Sequence, residues 1–236
     1  MCGRFVLNVD PAVLQSTFDL GTVPEFGARF NIAPTQTVPI ILNEAPPDVI
    51  GTPAARTAQP IRQAMMVRWG LIPSWAKEMS MGSKLINARA ETVDEKPAFR
   101  QAFKRRRCIA PASGYYEWKE TDDGKQPFYI HRVDDSLIGF AGLWEIWQSP
   151  EGEEVRTFCI MTTEANTFAS QIHHRMPVIL RPEDYDRWLN TPEKSASDLK
   201  PLLKPYADEN AFIAHPVSKV VNKPGVDLPN LIEPIH

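Results

Sequence analysis

From Gln63 onward the apolar positions bunch into short runs: QAMMVRWG, CIAPASGYYEWK, QPFYIHR, LIGFAGLWEIWQ and VRTFCIMTT. Several alternate, and most are rich in β-branched or aromatic side chains, a pattern that predicts strands. TDDGKQ and SPEGEE, each carrying a glycine between two such runs, read as hairpin turns. Helical segments break in or follow: KPAFRQAFKRR, NTFASQIHH, PEDYDRWLN and SASDLKPLLK. Near the start, Asp10-Pro11 opens DPAVLQSTF as a helix, because Asp caps free amides and Pro tolerates the first helical position. TVPIILN reads as extended, and EAPPDVIGTPAARTAQP as a surface excursion. That excursion is not taken as a domain linker, since the short strands on either side need each other to bury a face. The expected fold is α+β, a single domain over residues 1–236, with a curved, mostly antiparallel, barrel-like β core and peripheral helices.

Composition narrows the function classes. A chain of 236 residues with 43% hydrophobic content supports a substantial core, and a net charge of -3 excludes a histone-like polycation. Nucleic-acid binding would have to be patterned on a local basic face. Three cysteines, Cys2, Cys108 and Cys159, are odd in number and form no CxxC pair, which argues against a disulfide framework or a zinc knuckle. The start MCGRFVLN has neither the basic region nor the apolar stretch of a secretory signal, and no run approaches membrane-spanning length. A cytoplasmic protein with reduced thiols is expected, with no membrane contact and no bound metal or organic cofactor.

Five places carry polar groups suited to chemistry. Removing Met1 would leave Cys2 with an α-amine (ordinary pKa about 7.7–8.0) and a thiol on adjacent carbons, able to condense with an aldehyde and close a five-membered ring. LINARAET puts Asn87 and Arg89 on one face of an extended segment, an amide and a guanidinium suited to an amino terminus and a phosphate, unless it is an ordinary loop-to-helix junction. In GYYEWK, Glu117 sits between Tyr116 and Trp118, where burial suits a carboxyl to general acid or base work; a solvent-facing carboxylate is the plainer reading. IHHRMPVIL offers His173, His174 and Arg175; adjacent histidines in a strand would point to opposite sides, so one faces any given site. A metal site is disfavoured by the lack of HExxH or a second cluster. Finally Arg4, Arg29, Arg68, Trp69, Trp75 and Lys104–Arg107 form a basic and aromatic set fit to stack bases and track phosphates, although the Lys104–Arg107 run by itself reads as a solvated helix end.

Taken in order, MCGRF, RFNIAPTQ, WGLIPSWA, LINARAET, CIAPASGYYEWK and IHHRMPVIL resemble the SOS response-associated peptidase (SRAP) family of abasic-site processing proteins, and the likeness runs from residue 2 to the HPVSKVVN segment, nearly the whole chain. The resemblance implies an α+β domain with a positively charged channel for single-stranded DNA bearing abasic sites. It implies that Cys2, freed of Met1, forms a thiazolidine crosslink with the sugar aldehyde, with associated lyase and self-processing peptidase activity. It implies Asn87 as the group that orients Cys2, Glu117 as the general acid and base, His173 as the catalytic histidine, and Arg4, Trp75, Arg89 and Arg175 as DNA contacts. Replication-fork proteins are candidate partners. Two positions depart from the family pattern: Trp75 is followed by Ala76, where members can carry a second tryptophan, and His174 stands where relatives can be acidic.

Two other readings fit parts of the chain. A class II glutamine amidotransferase also begins with Cys-Gly and uses its thiol on an amide, but normally attaches to a synthetase domain. A non-covalent single-stranded DNA-binding module would leave Cys2 incidental and bind reversibly and salt-sensitively.

Overall fold

The alternating segments pair into two curved sheets that share one core. A computed structural model describes residues 2–44 and 60–235; the surface excursion expected after Glu44 falls outside them, as does Met1. The strands are β1 (Phe5–Leu7), β2 (Arg29–Ile32), β3 (Thr37–Glu44), β4 (Ile61–Trp69), β5 (Asn87–Arg89), β6 (Arg107–Ala112) and β7 (Gly114–Thr121). They continue as β8 (Gly124–Arg132), β9 (Ile138–Gln148), β10 (Glu154–Glu164), β11 (Arg175–Pro177), β12 (Ile179–Leu180) and β13 (Phe212–Pro216).

In one sheet β4, β3, β6, β9 and β10 close into a barrel: the first four follow in antiparallel register, β9 pairs antiparallel with β10, and β10 returns to β4 in parallel through Thr157↔Arg68 and Phe158↔Trp69. Closure removes two open edges. The second sheet runs β13-β8-β7-β1-β2. Both expected hairpin turns are present, and each uses a glycine in the left-handed region, Gly124 at φ 94° and Gly152 at φ 88°.

CIAPASGYYEWK, read as one extended segment, divides at Ser113 between the two sheets. Ser113 N–H donates to the Val6 carbonyl at 2.8 Å and its hydroxyl accepts from Asn8 N–H at 3.1 Å, so β6 finishes in the barrel and β7 begins beside β1. Gly114 is required there: a Cβ would lie 2.6 Å from the Tyr129 hydroxyl oxygen. Phe5 and Tyr115 from one sheet meet Trp69 and Phe140 from the other, edge to face at 5.2 Å (Phe5–Trp69) and 5.8 Å (Tyr115–Phe140). Burying each such ring contributes about 1.5–3 kcal/mol, and the edge-to-face geometry adds about 0.5–1.5 kcal/mol per pair.

The helices are shorter than the sequence patterns suggest. α1 (Pro11–Phe18) matches its expected start, with the Asp10 carboxylate accepting from Ala12 N–H at 2.7 Å. α2 covers only Arg100–Arg105, α3 only Thr167–Ser170, and α4 Tyr185–Asn190 after a turn of 3-10 helix. SASDLKPLLK winds as 3-10 helix within Glu193–Leu203, because Pro201 has no N–H to give an α-helical bond.

The basic run 104–107 is not a uniform solvated end. Arg105 pairs with Glu193 at 2.9 Å and Arg106 with the buried Glu145 at 2.5 Å, while Arg107 is itself buried and donates to the carbonyls of Phe103, Lys104, Trp188 and Thr191. Burial lowers the Arg107 guanidinium to about 10. At the far edge of the second sheet, the Asp227 carboxylate accepts from the N–H groups of Phe30 and Asn31 and pairs with Arg29. The buried Asn31 amide in turn donates to the carbonyls of Val221, Lys223 and Val226. Among the described residues no helix is long and apolar enough to cross a membrane.

Candidate active site

Cys2 is placed by the residue three positions after it. Phe5 pairs with Ile32 on one side and Tyr115 on the other, and Tyr116 N–H donates to the Arg4 carbonyl at 3.0 Å, so the first residues are drawn inward and Cys2 is completely buried. Its carbonyl accepts from Asn87 Nδ2 at 2.9 Å. Asn87 heads β5, which lies parallel to β10 with Ile160↔Asn87 and Thr162↔Arg89. Alternation then puts Asn87 and Arg89 on one face and the buried Ala88 on the other, as the sequence predicts. Asn87 Oδ1 is buried without a hydrogen-bond partner among the described residues, an acceptor beside the amino end of the chain.

Glu117 lies in β7 opposite Phe128 and is only 3% exposed. It is an electrostatic neighbour of Cys2: burial pushes the Cys2 thiol far above its ordinary range, and the Glu117 charge raises it further. Tyr115, in the same strand, is raised by its own burial and then by Cys2 and Glu117. Near neutral pH the thiol therefore carries its proton, and a carboxyl stands close enough to influence it.

His173 follows α3, whose Asn166 cap accepts from Ala169 N–H at 2.9 Å. His173 Nδ1 sits between two backbone groups of Arg175, 3.0 Å from its nitrogen and 3.2 Å from its carbonyl oxygen, so Arg175 holds the ring in either tautomer. The expectation that His173 and His174 point to opposite sides is not met. Both residues precede β11 rather than lying in it, and their rings stack with centroids 4.3 Å apart and planes at 29°. His174 is exposed, and the neighbouring His173, with Arg175 and Arg89 behind it, holds its imidazole below the ordinary range.

The DNA-contact candidates separate by exposure. Arg89 is exposed, and Trp75 is 58% exposed in a cleft of about 380 Å³ that it lines with Lys77, Glu78, Ser80, Met81 and Lys84. Arg4 is half-buried, its Nε has no hydrogen-bond partner among the described residues, and burial lowers its guanidinium. Arg175, the fourth DNA-contact candidate, is buried: its guanidinium grips Glu91 at 2.7 and 3.0 Å, and it donates to the Thr162 carbonyl at 2.7 Å. That hydrogen-bonded pairing lowers the Glu91 carboxyl in turn. Trp69 is likewise not a stacking platform, since it is fully buried against Phe158 with its indole N–H on the Ile86 carbonyl. Arg29 is engaged by Asp227 and Gln36, and Arg68 by the Thr35 carbonyl. Ala76 is buried and its carbonyl accepts from the Trp147 indole at 2.7 Å, so the loop carrying Trp75 is tied to β9.

The residue-level reading missed Glu91 as the partner of Arg175. The signal was only its place two residues beyond Arg89 in the same run.

The arrangement has recognised counterparts. The family model described as SOS response associated peptidase (SRAP) matches residues 1–224. The abasic site processing protein YoqW of Bacillus subtilis (strain 168) is 41% identical over 238 residues, covering 99% of this chain and 99% of that protein. The abasic site processing protein HMCES of Gallus gallus is 35% identical over 199 residues, spanning 74% of this chain and 58% of its own length. Among solved structures, a protein from Bacteroides thetaiotaomicron superposes with a TM-score of 0.82 at 26% identity, each chain covered completely. By its family match along nearly the whole sequence and its identity to these relatives, the chain belongs to the SOS response associated peptidase family.

Proposed function

We propose that the protein processes abasic sites in single-stranded DNA and does so covalently, through Cys2 once Met1 has been removed. The observation that carries the reading is the setting of Cys2: its carbonyl held by Asn87 and its thiol in the field of Glu117. The names of the curated relatives support the substrate.

An abasic sugar rests mainly as a closed hemiacetal, and Glu117 moves the proton that opens it to the aldehyde. The Cys2 amine adds to the carbonyl carbon, His173 or Glu117 protonates the departing oxygen, and water leaves to give an imine. The thiol sulfur then bonds to the same carbon while its proton passes to the nitrogen, closing a thiazolidine with no change in oxidation state. Burial leaves the Cys2 thiol protonated near neutral pH, so its proton has to leave as the C–S bond forms, and the imine nitrogen is the base that takes it. The imine has a second exit: loss of a proton next to it expels the 3′ phosphate and cleaves the strand, after which hydrolysis frees the amine. Peptidase activity in this scheme is hydrolysis of the Met1–Cys2 bond, which turns a peptide nitrogen into the reacting amine.

Arg4, Arg89 and Trp75 supply the strand contacts in this reading. Arg175 acts one step back, fixing Glu91 and, through its backbone, the His173 ring.

The test is to mix processed protein with a single-stranded oligonucleotide bearing one abasic site and run a denaturing gel. A shifted band that survives denaturation and is lost in Cys2→Ala is expected. Reversible binding without such a band would make the protein a non-covalent module, and ammonia release from glutamine instead would make it an amidotransferase.

A further inference from the structure

The turn that delivers His173 also presents a second imidazole for which the chemistry above has no use. His174 is exposed, its ring lies 4.3 Å from that of His173, and its backbone carbonyl is fixed by the Ala165 N–H at 3.1 Å. The groups whose charge reaches the ring are His173 first, then Arg175 and Arg89, and together they hold it below its ordinary range. On the strands packed against the turn, Arg175 is paired with Glu91, and Glu164, opposite Arg175 in β10, is an exposed carboxylate. Arg89 is an exposed cation, and an imidazole in its field gains from the arrival of an anion.

We propose that His174 is a contact for a backbone phosphate of the bound DNA strand, and that strand binding delivers one proton to it. The inference rests on the single-stranded DNA reading above. The phosphate offsets the like charges around the ring and so favours the imidazolium, which can then donate a charge-assisted hydrogen bond. The stacking has a further effect on the chemistry. A positive charge on His174 lies one ring away from His173, so strand binding changes the field at the catalytic imidazole. Strand binding and readiness of His173 are thereby coupled through two touching rings.

The experiment uses the full chain with a single-stranded oligonucleotide carrying a tetrahydrofuran abasic analogue, which has no aldehyde, so that only non-covalent binding is read. Affinity is followed by fluorescence anisotropy from pH 5.5 to 8.5, and proton uptake by calorimetry in two buffers of different ionisation enthalpy. One linked proton changes affinity by at most tenfold per pH unit, so the wild type is expected to weaken about tenfold between pH 6 and 8. His174→Ala is expected to be flat within about twofold and to lose about one unit of salt slope. His174→Arg is expected to keep the affinity and lose the pH dependence. If His174→Ala keeps the wild-type pH and salt slopes, the inference is overturned and the proton belongs elsewhere, His173 first. If the ring is only a prop for His173, the variants will slow crosslinking to natural abasic DNA while proton uptake stays at the wild-type value, which also overturns it. Proton uptake with 10 mM inorganic phosphate alone would overturn the assignment to the strand. A wild type that crosslinks abasic DNA while His174→Ala binds unchanged removes only this inference, whereas a wild type that neither binds nor crosslinks removes the DNA reading with it.

Discussion

Asn87 donates its side-chain amide to the carbonyl of Cys2 at 2.9 Å, joining two residues 85 positions apart. The bond fixes the backbone of the residue whose amine and thiol react in the proposed scheme. Asn87→Ala should therefore cut the rate of adduct formation by about 10–100-fold, the cost of a misplaced nucleophile. Affinity for the tetrahydrofuran analogue should change less than about threefold, because the amide faces the protein rather than the strand. Parallel loss of both would make Asn87 a binding residue instead.

Glu117 is tested by its isostere. Glu117→Gln keeps the shape but removes proton transfer, an effect worth about 10²–10⁴-fold, so single-turnover capture should slow by that range while the thermal midpoint stays within about 3 °C. Cys2→Ala retains an α-amine after processing and should give an imine trapped by borohydride, but no adduct stable without it.

Arg89 and Arg175 should respond in opposite ways. Arg175→Ala removes a buried cation whose partner Glu91 is 43% exposed, so after discounting for solvent the loss should be about 1–3 kcal/mol of stability, read by urea unfolding. Arg89→Ala should leave stability unchanged and reduce the salt slope of DNA binding by about one unit. If Arg175→Ala lowered the salt slope with no loss of stability, Arg175 would be a direct DNA contact, as the resemblance implies.

Alkaline pH should destabilise the protein. The thiols of Cys2, Cys108 and Cys159 are all raised, by burial in each case, above the ordinary value of 9.0. The folded state holds those protons more tightly than the unfolded chain does. The contribution is thus whole below pH 9 and drains away as pH rises past it, by about 1.4 kcal/mol per thiol at pH 10. Urea unfolding at pH 8 and pH 10 should show the loss, and Cys108→Ala should remove about a third of it; stability flat to pH 10 would contradict the burial of the thiols.

What could be read in the sequence followed the strength of local signals. The long strands β9 and β10 announce themselves by length and apolar density, their turn by Gly152, and α1 by Asp10-Pro11. The three-residue strands β1, β5 and β11 are too short for periodicity and exist only because a neighbour pairs with them. For the same reason Trp69 and Trp75, six positions apart, looked alike although one is core and the other displayed. The histidine pair was misread because alternation was applied to residues outside a strand. Arg175 looked like a surface cation because its acid, Glu91, lies 84 residues earlier.

The clamp of Asp227 on β2 has a consequence in time. Asp227 stands 196 residues after Asn31, whose backbone N–H it covers. At about 5–20 residues per second, roughly 10–40 s of synthesis separate the emergence of that strand from the arrival of its cover. For that interval the outer edge of the second sheet has no lid of its own, and a neighbouring nascent chain competes for the same N–H groups.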